Sequence, residues 1–111
     1  MKSPDRRTQR SDSPAQALTH LLDACRARGG YTAMIVADEL GFLVGASSND
    51  DVDARALAAD LLLGPRRAAH GKVTHVPFRF MDRTLYVGAV GEGSAAPLVD
   101  AVYGARRILA A

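Results

Sequence analysis

The sequence predicts an α+β fold, an α/β/α sandwich in which a central antiparallel sheet of four or five strands carries one helix on one face and two on the other. Three observations predict it. In the strand around Met34 to Ala37, Met34 and Val36 point one way and Ala33, Ile35 and Ala37 the other, so both faces of the sheet need cover. Helical and strand periodicities follow one another in the order α-β-β-α-β-β-α, with no internal repeat. With 111 residues, 48% apolar and 23% charged, the chain can fill one core but not two.

Residues 1–13, "MKSPDRRTQRSDS", are polar and lack a hydrophobic period, which predicts a flexible basic tail ahead of a single domain at 14–111. Ser13 suits an N-cap and Pro14 the first helical position. Leu18, Leu21, Leu22 and Cys25 then recur on one helical face, and Gly29-Gly30 ends the helix. Tyr31 to Ala37 and Phe42 to Ser47 form a hairpin whose Asp38-Glu39-Leu40-Gly41 turn places glycine where φ is positive.

Asn49 and Asp50 are cap candidates for a second helix, expected from Asp51 to about Leu63, with Asp51 and Asp53 in its first turn and Gly64-Pro65 as its stop. Lys72 to Phe80 alternates, with Thr74, Val76, Phe78 and Phe80 opposite Val73, His75, Pro77 and Arg79. Pro77 removes a ladder donor, so this is an edge strand, or two short strands that would bring the sheet to five. A turn at Met81-Asp82-Arg83 leads into Thr84 to Val90. Ser94 caps a last helix bearing Leu98, Ala101, Val102, Ala105 and Ile108 or Leu109 on one face, with Pro97 harmless in its first turn.

The second helix carries more apolar surface than one sheet face can hide. At about 100° per residue, Asp60 falls about 20° from Asp53, only Arg55, about 200° away, interrupts the rest, and an ordinary docked helix needs a stripe of a little over 100°. The first and last helices cover one face of the hairpin and the second helix the other. Its outer flank and the edge strand remain, and a second copy of the chain covers both economically, because a two-fold axis lets one patch meet itself. The alternative is that alanine-rich helices look apolar on any wheel and this one is simply well buried.

The whole excess charge of +2 lies in the tail: its four basic and two acidic residues leave ten of each among residues 14–111. A neutral folded part argues against nucleic acid as a partner. No run approaches the 18 or so apolar residues that span a bilayer, and the N-terminus lacks a secretory pattern, so no membrane insertion is expected. One cysteine, Cys25, forms no internal bridge, and the expected location is the cytoplasm.

Catalytic chemistry is not legible. His20, His70 and His75 have no partners at metal-ligand spacing, and Cys25 reads as core. "GAVGEG", Gly88 to Gly93, lies between strand and helix but lacks the order of a phosphate loop. No nucleophile elbow or motif-placed carboxylate pair occurs. Arg66-Arg67 and Arg106-Arg107 could touch an acidic partner or a nucleotide phosphate, although helix ends carry arginine for dipole reasons alone. No cofactor or metal is expected.

The runs "YTAMIVADELGFLVGASSNDDVDARALAADLLL", "FRFMDRTLYVGAVGEG" and "LVDAVYGARRILA" resemble the roadblock (dynein light chain roadblock-type, longin-like) family over residues 14–111, with Asp38, Gly41 and Ser47 as positional markers. The resemblance implies about five antiparallel strands between one helix and a pair, and a homodimer joined through the second helix and third strand. It implies a non-catalytic platform for small Ras-like GTPases, dynein or larger scaffolds; bacterial members include GTPase-activating partners of a polarity GTPase. The candidates are Val52, Ala56, Ala59, Leu63, Thr74, Val76 and Phe78 for the dimer interface, and Arg55, Arg66 and Arg67 for the partner. A rival of another class is a profilin-like, GAF or PAS-type sensing domain, which needs a pocket of several hundred cubic ångströms against the sheet. A small enzyme using Tyr86, His75 and Arg79 is the weakest reading.

Overall fold

The computed structural model describes residues 13–48, 53–61 and 72–110. They form α1 (Pro14–Gly29), β1 (Ala33–Asp38), β2 (Leu43–Ser48), α2 (Ala54–Leu61), β3 (Val73–Phe80), β4 (Arg83–Val90) and α3 (Ala95–Ala110). The strands make one antiparallel sheet in the order β2-β1-β4-β3.

The local signals of α1 act as read. The Ser13 hydroxyl accepts from the Gln16 amide at 3.1 Å, Pro14 opens the helix, and Gly30 closes it in the left-handed conformation at φ 76°. In the β1–β2 turn one Asp38 carboxylate oxygen accepts from the amides of Leu40 and Phe42, each at 2.9 Å, and Gly41 takes φ 88°.

Central β1 is buried on both sides. Met34 and Val36 join α1 and α3 in a core with Leu18, Leu22, Leu98 and Ala101. Ala33, Ile35 and Ala37 pack with Leu57 and Ala58 of α2 on the other face. The first and last helices thus share one face and α2 takes the opposite one, as β1's two apolar sides require.

Two details differ from the sequence reading. α2 begins at Ala54, and Asp53 stands before it as its cap: its carboxylate accepts from the amides of Arg55 (3.1 Å) and Ala56 (3.2 Å). The expected caps Asn49 and Asp50, the expected end at Gly64-Pro65, and the tail before Ser13 lie outside the described residues. Pro77 does not split its strand. β3 pairs with β4 continuously from Val73↔Val90 to Phe80↔Arg83, so the described residues contain four strands and no fifth. The ring is tolerated because β3 is an edge, where a missing N–H interrupts nothing.

Candidate interaction surfaces

α2 faces the sheet through Leu57 and Ala58, both buried, and lies over β1 and β2. Arg55, Ala56 and Ala59 are exposed on its outer side. The dimer candidates Ala56 and Ala59 therefore form a small, smooth flank turned away from the core, and the partner candidate Arg55 lies beside them. Val52, Leu63, Arg66 and Arg67 fall outside the described residues.

The strand candidates sit elsewhere. Phe78 is buried in its own chain's core with Leu85 and the helices α1 and α3. Thr74 and Val76 are half-buried on the same sheet face, opposite to α2. The α2 side of the β3 edge is formed instead by Val73, His75 and Pro77, with His75 meeting Tyr86 edge to face at 5.8 Å. Alternation places Val73 and His75 on that side, and neither is among the dimer candidates. Within one chain, then, the flank of α2 and the named β3 side chains do not form one continuous patch; the backbone edge of β3 joins the two faces.

The three positional markers have structural duties. Asp38 and Gly41 build the β1–β2 turn, and a second Asp38 oxygen lies 3.5 Å from the Arg83 guanidinium. Ser47 is the buried polar side chain among the described core residues; it accepts from Arg26 Nε at 2.7 Å and donates to the Asp23 carboxylate, tying α1 to β2. Glu39 accepts from the Thr84 amide at 2.8 Å and so links the two hairpins.

Chemically the described residues are quiet. No group of three or more His, Cys, Asp or Glu among them could hold a metal ion. Cys25 is buried in the core, with Arg28 Nη2 3.8 Å from its sulfur. "GAVGEG" runs out of β4 through a turn in which Gly91, at φ 120°, donates to the Lys72 carbonyl. Tyr86 and His75 touch, but Arg79 is engaged with Thr84 Oγ1 at 3.4 Å. Among the described residues no helix is long and apolar enough to cross a membrane.

No protein-family model and no curated protein sequence matches this chain. Solved structures do. It is similar to Myxococcus xanthus MglB, with 13% identity over 85% of each chain and a TM-score of 0.55. It is similar to the gliding protein MglB from Thermus thermophilus, with 14% identity over 86% of this chain and 90% of the other and a TM-score of 0.60. A third similarity is to an MglB with a tetrameric arrangement, at 14% identity and a TM-score of 0.51, covering 86% of this chain and 85% of the other. At these identities the likeness is one of fold.

Proposed function

We propose that this chain, which has the roadblock-type α/β/α fold, is a non-catalytic homodimeric platform that binds and regulates a small Ras-like GTPase in the cytoplasm. One observation carries the proposal: α2 turns Leu57 and Ala58 to the sheet and leaves Arg55, Ala56 and Ala59 exposed on its outer side, and the sheet ends in a half-buried edge strand, β3. Small side chains let two such helices approach closely, and an unpaired strand edge invites a second strand. A fold shared with an MglB in tetrameric arrangement supports self-association. Arg55, with Arg66 and Arg67 in the segment after the helix, supplies positive charge for an acidic protein surface.

The platform needs no chemistry of its own, since a GTPase carries its nucleotide and most of its catalytic groups. The test is affinity capture from the source cell with the full tagged chain, read by mass spectrometry. Enrichment of a small GTPase that then binds the purified chain in one nucleotide state is the expected result. Recovery of no GTPase, together with a small molecule retained in native mass spectrometry, would turn the assignment toward a ligand-sensing domain.

A further inference from the structure

Between the β3–β4 hairpin and the C-terminal half of α3 lies an open groove of about 310 Å³. It is on the side of the molecule away from α2, and its Phe80 lies at the end of β3 beyond the dimer candidates Thr74, Val76 and Phe78. Arg79, Arg106 and Arg107 line it together with Phe80, Met81 and Tyr103, and no acidic side chain does.

Two of these arginines make no side-chain contact that would neutralise them among the described residues. Elsewhere Arg28 pairs with Asp100 at 2.8 Å and Arg83 approaches Asp38 at 3.5 Å. Arg79 has one long contact to Thr84 Oγ1, and Arg106 and Arg107 have no hydrogen bond or ion pair among the described residues. Arg107 lies in the last turn of α3, where a cation is favoured anyway, but that leaves Arg106 beside it unaccounted for. Like charges lining one groove repel, and an anion placed between them relieves that repulsion.

The rest of the surface is apolar and displayed. Met81 is 81% exposed and Tyr103 60%. Met81 holds φ 58°, a left-handed conformation that is uncommon for a residue other than glycine and puts its side chain at the hairpin tip. A groove at the lower end of the usual pocket range of about 300–1,000 Å³ takes one or two side chains rather than a whole cofactor.

The geometry points to a docking site for an acidic segment of another protein, with an aromatic or aliphatic anchor over Phe80, Met81 and Tyr103 and flanking carboxylates on Arg106 and Arg107. Charge decides against the chain's own N-terminal segment, which carries a net +2. The acidic turn of a second copy is a poor occupant because Asp38 and Glu39 already accept from Leu40, Phe42 and Thr84. A nucleic acid needs a basic track along many phosphates, whereas residues 14–111 are neutral overall. Arginine matches carboxylates in paired geometry, which suits a peptide.

The test titrates the full chain with a capped hexapeptide, Asp-Glu-Asp-Phe-Asp-Glu, and with its neutral counterpart, Asn-Gln-Asn-Phe-Asn-Gln, following nitrogen-labelled protein by NMR. Saturable binding of the acidic peptide alone is expected, weakening with salt, with shifts centred on residues 79–81 and 103–107. Affinity should fall about tenfold or more in an R106E/R107E variant. Both arginines are exposed, so the fold should persist by circular dichroism; Arg106→Gln gives a smaller loss in the same direction if charge reversal disturbs the helix. Absence of binding up to about 1 mM, equal binding of both peptides, or shifts centred elsewhere would overturn the proposal. So would binding to phosphatidylserine vesicles or single-stranded DNA without binding to the acidic peptide.

Discussion

At the scale of single residues, close approaches decide which substitutions the chain tolerates. A Cβ added at Gly45 would lie 2.5 Å from Leu18 Cδ2 and 2.9 Å from its Cγ, and Leu18 is fully buried with no room to retreat. Gly45→Ala is expected to lower stability by about 1–3 kcal/mol in a urea titration, the usual range for overpacking. Ser47→Ala should cost about 1–2 kcal/mol by the same measurement, because it removes the hydroxyl that joins Arg26 to Asp23. Tyr31 is buried and donates its hydroxyl to the Ser94 carbonyl at 2.7 Å, and burial pushes its phenol above the ordinary value. Folding thus favours the protonated phenol. That contribution is fully present below the unfolded pKa of about 10 and is lost as pH rises through the higher folded value. Tyr31→Phe should therefore flatten the fall in stability at alkaline pH, read as denaturation midpoints across that range. The roles of Gly45 and Ser47 were not legible in the sequence, because Leu18, Asp23 and Arg26 lie more than twenty residues away and no local pattern joins them.

At the scale of elements, what could be read depended on how local the encoding is. α1 was legible because Ser13, Pro14 and Gly29-Gly30 act on their own backbone. The start of α2 was placed early: Asn49 and Asp50 read as caps with Asp53 inside the first turn, whereas Asp53 itself caps the helix through Arg55 and Ala56. Pro77 alone is compatible with an edge strand or a break, and only the unbroken register with β4 distinguishes these. The arginine-lined groove was invisible for a similar reason, since it joins residues 79–81 to residues 103–107 across an intervening strand. Among the described residues, Leu57 is the large side chain that anchors α2 on the sheet. Leu57→Ala is expected to cost about 2–5 kcal/mol, and hydrogen exchange should show α2 amides losing protection while those of β1 keep theirs.

At the scale of the molecule, the two-sided burial of β1 sets the architecture and also its asymmetry. One face has two sixteen-residue helices, α1 and α3, whereas the other has the eight described residues of α2. On the outer side of α2 Ala56 and Ala59 are exposed, and there the proposed twin subunit would sit. A glutamate on that flank should oppose association without touching the core, so an A56E/A59E variant is expected to be folded by circular dichroism and monomeric. The twin subunit is tested most simply by the mass of the unmodified chain in solution, measured by light scattering across micromolar concentrations. Twice the chain mass of 11.7 kDa is the expected value; a constant 11.7 kDa over that range would contradict pairing through α2 and the platform role built on it.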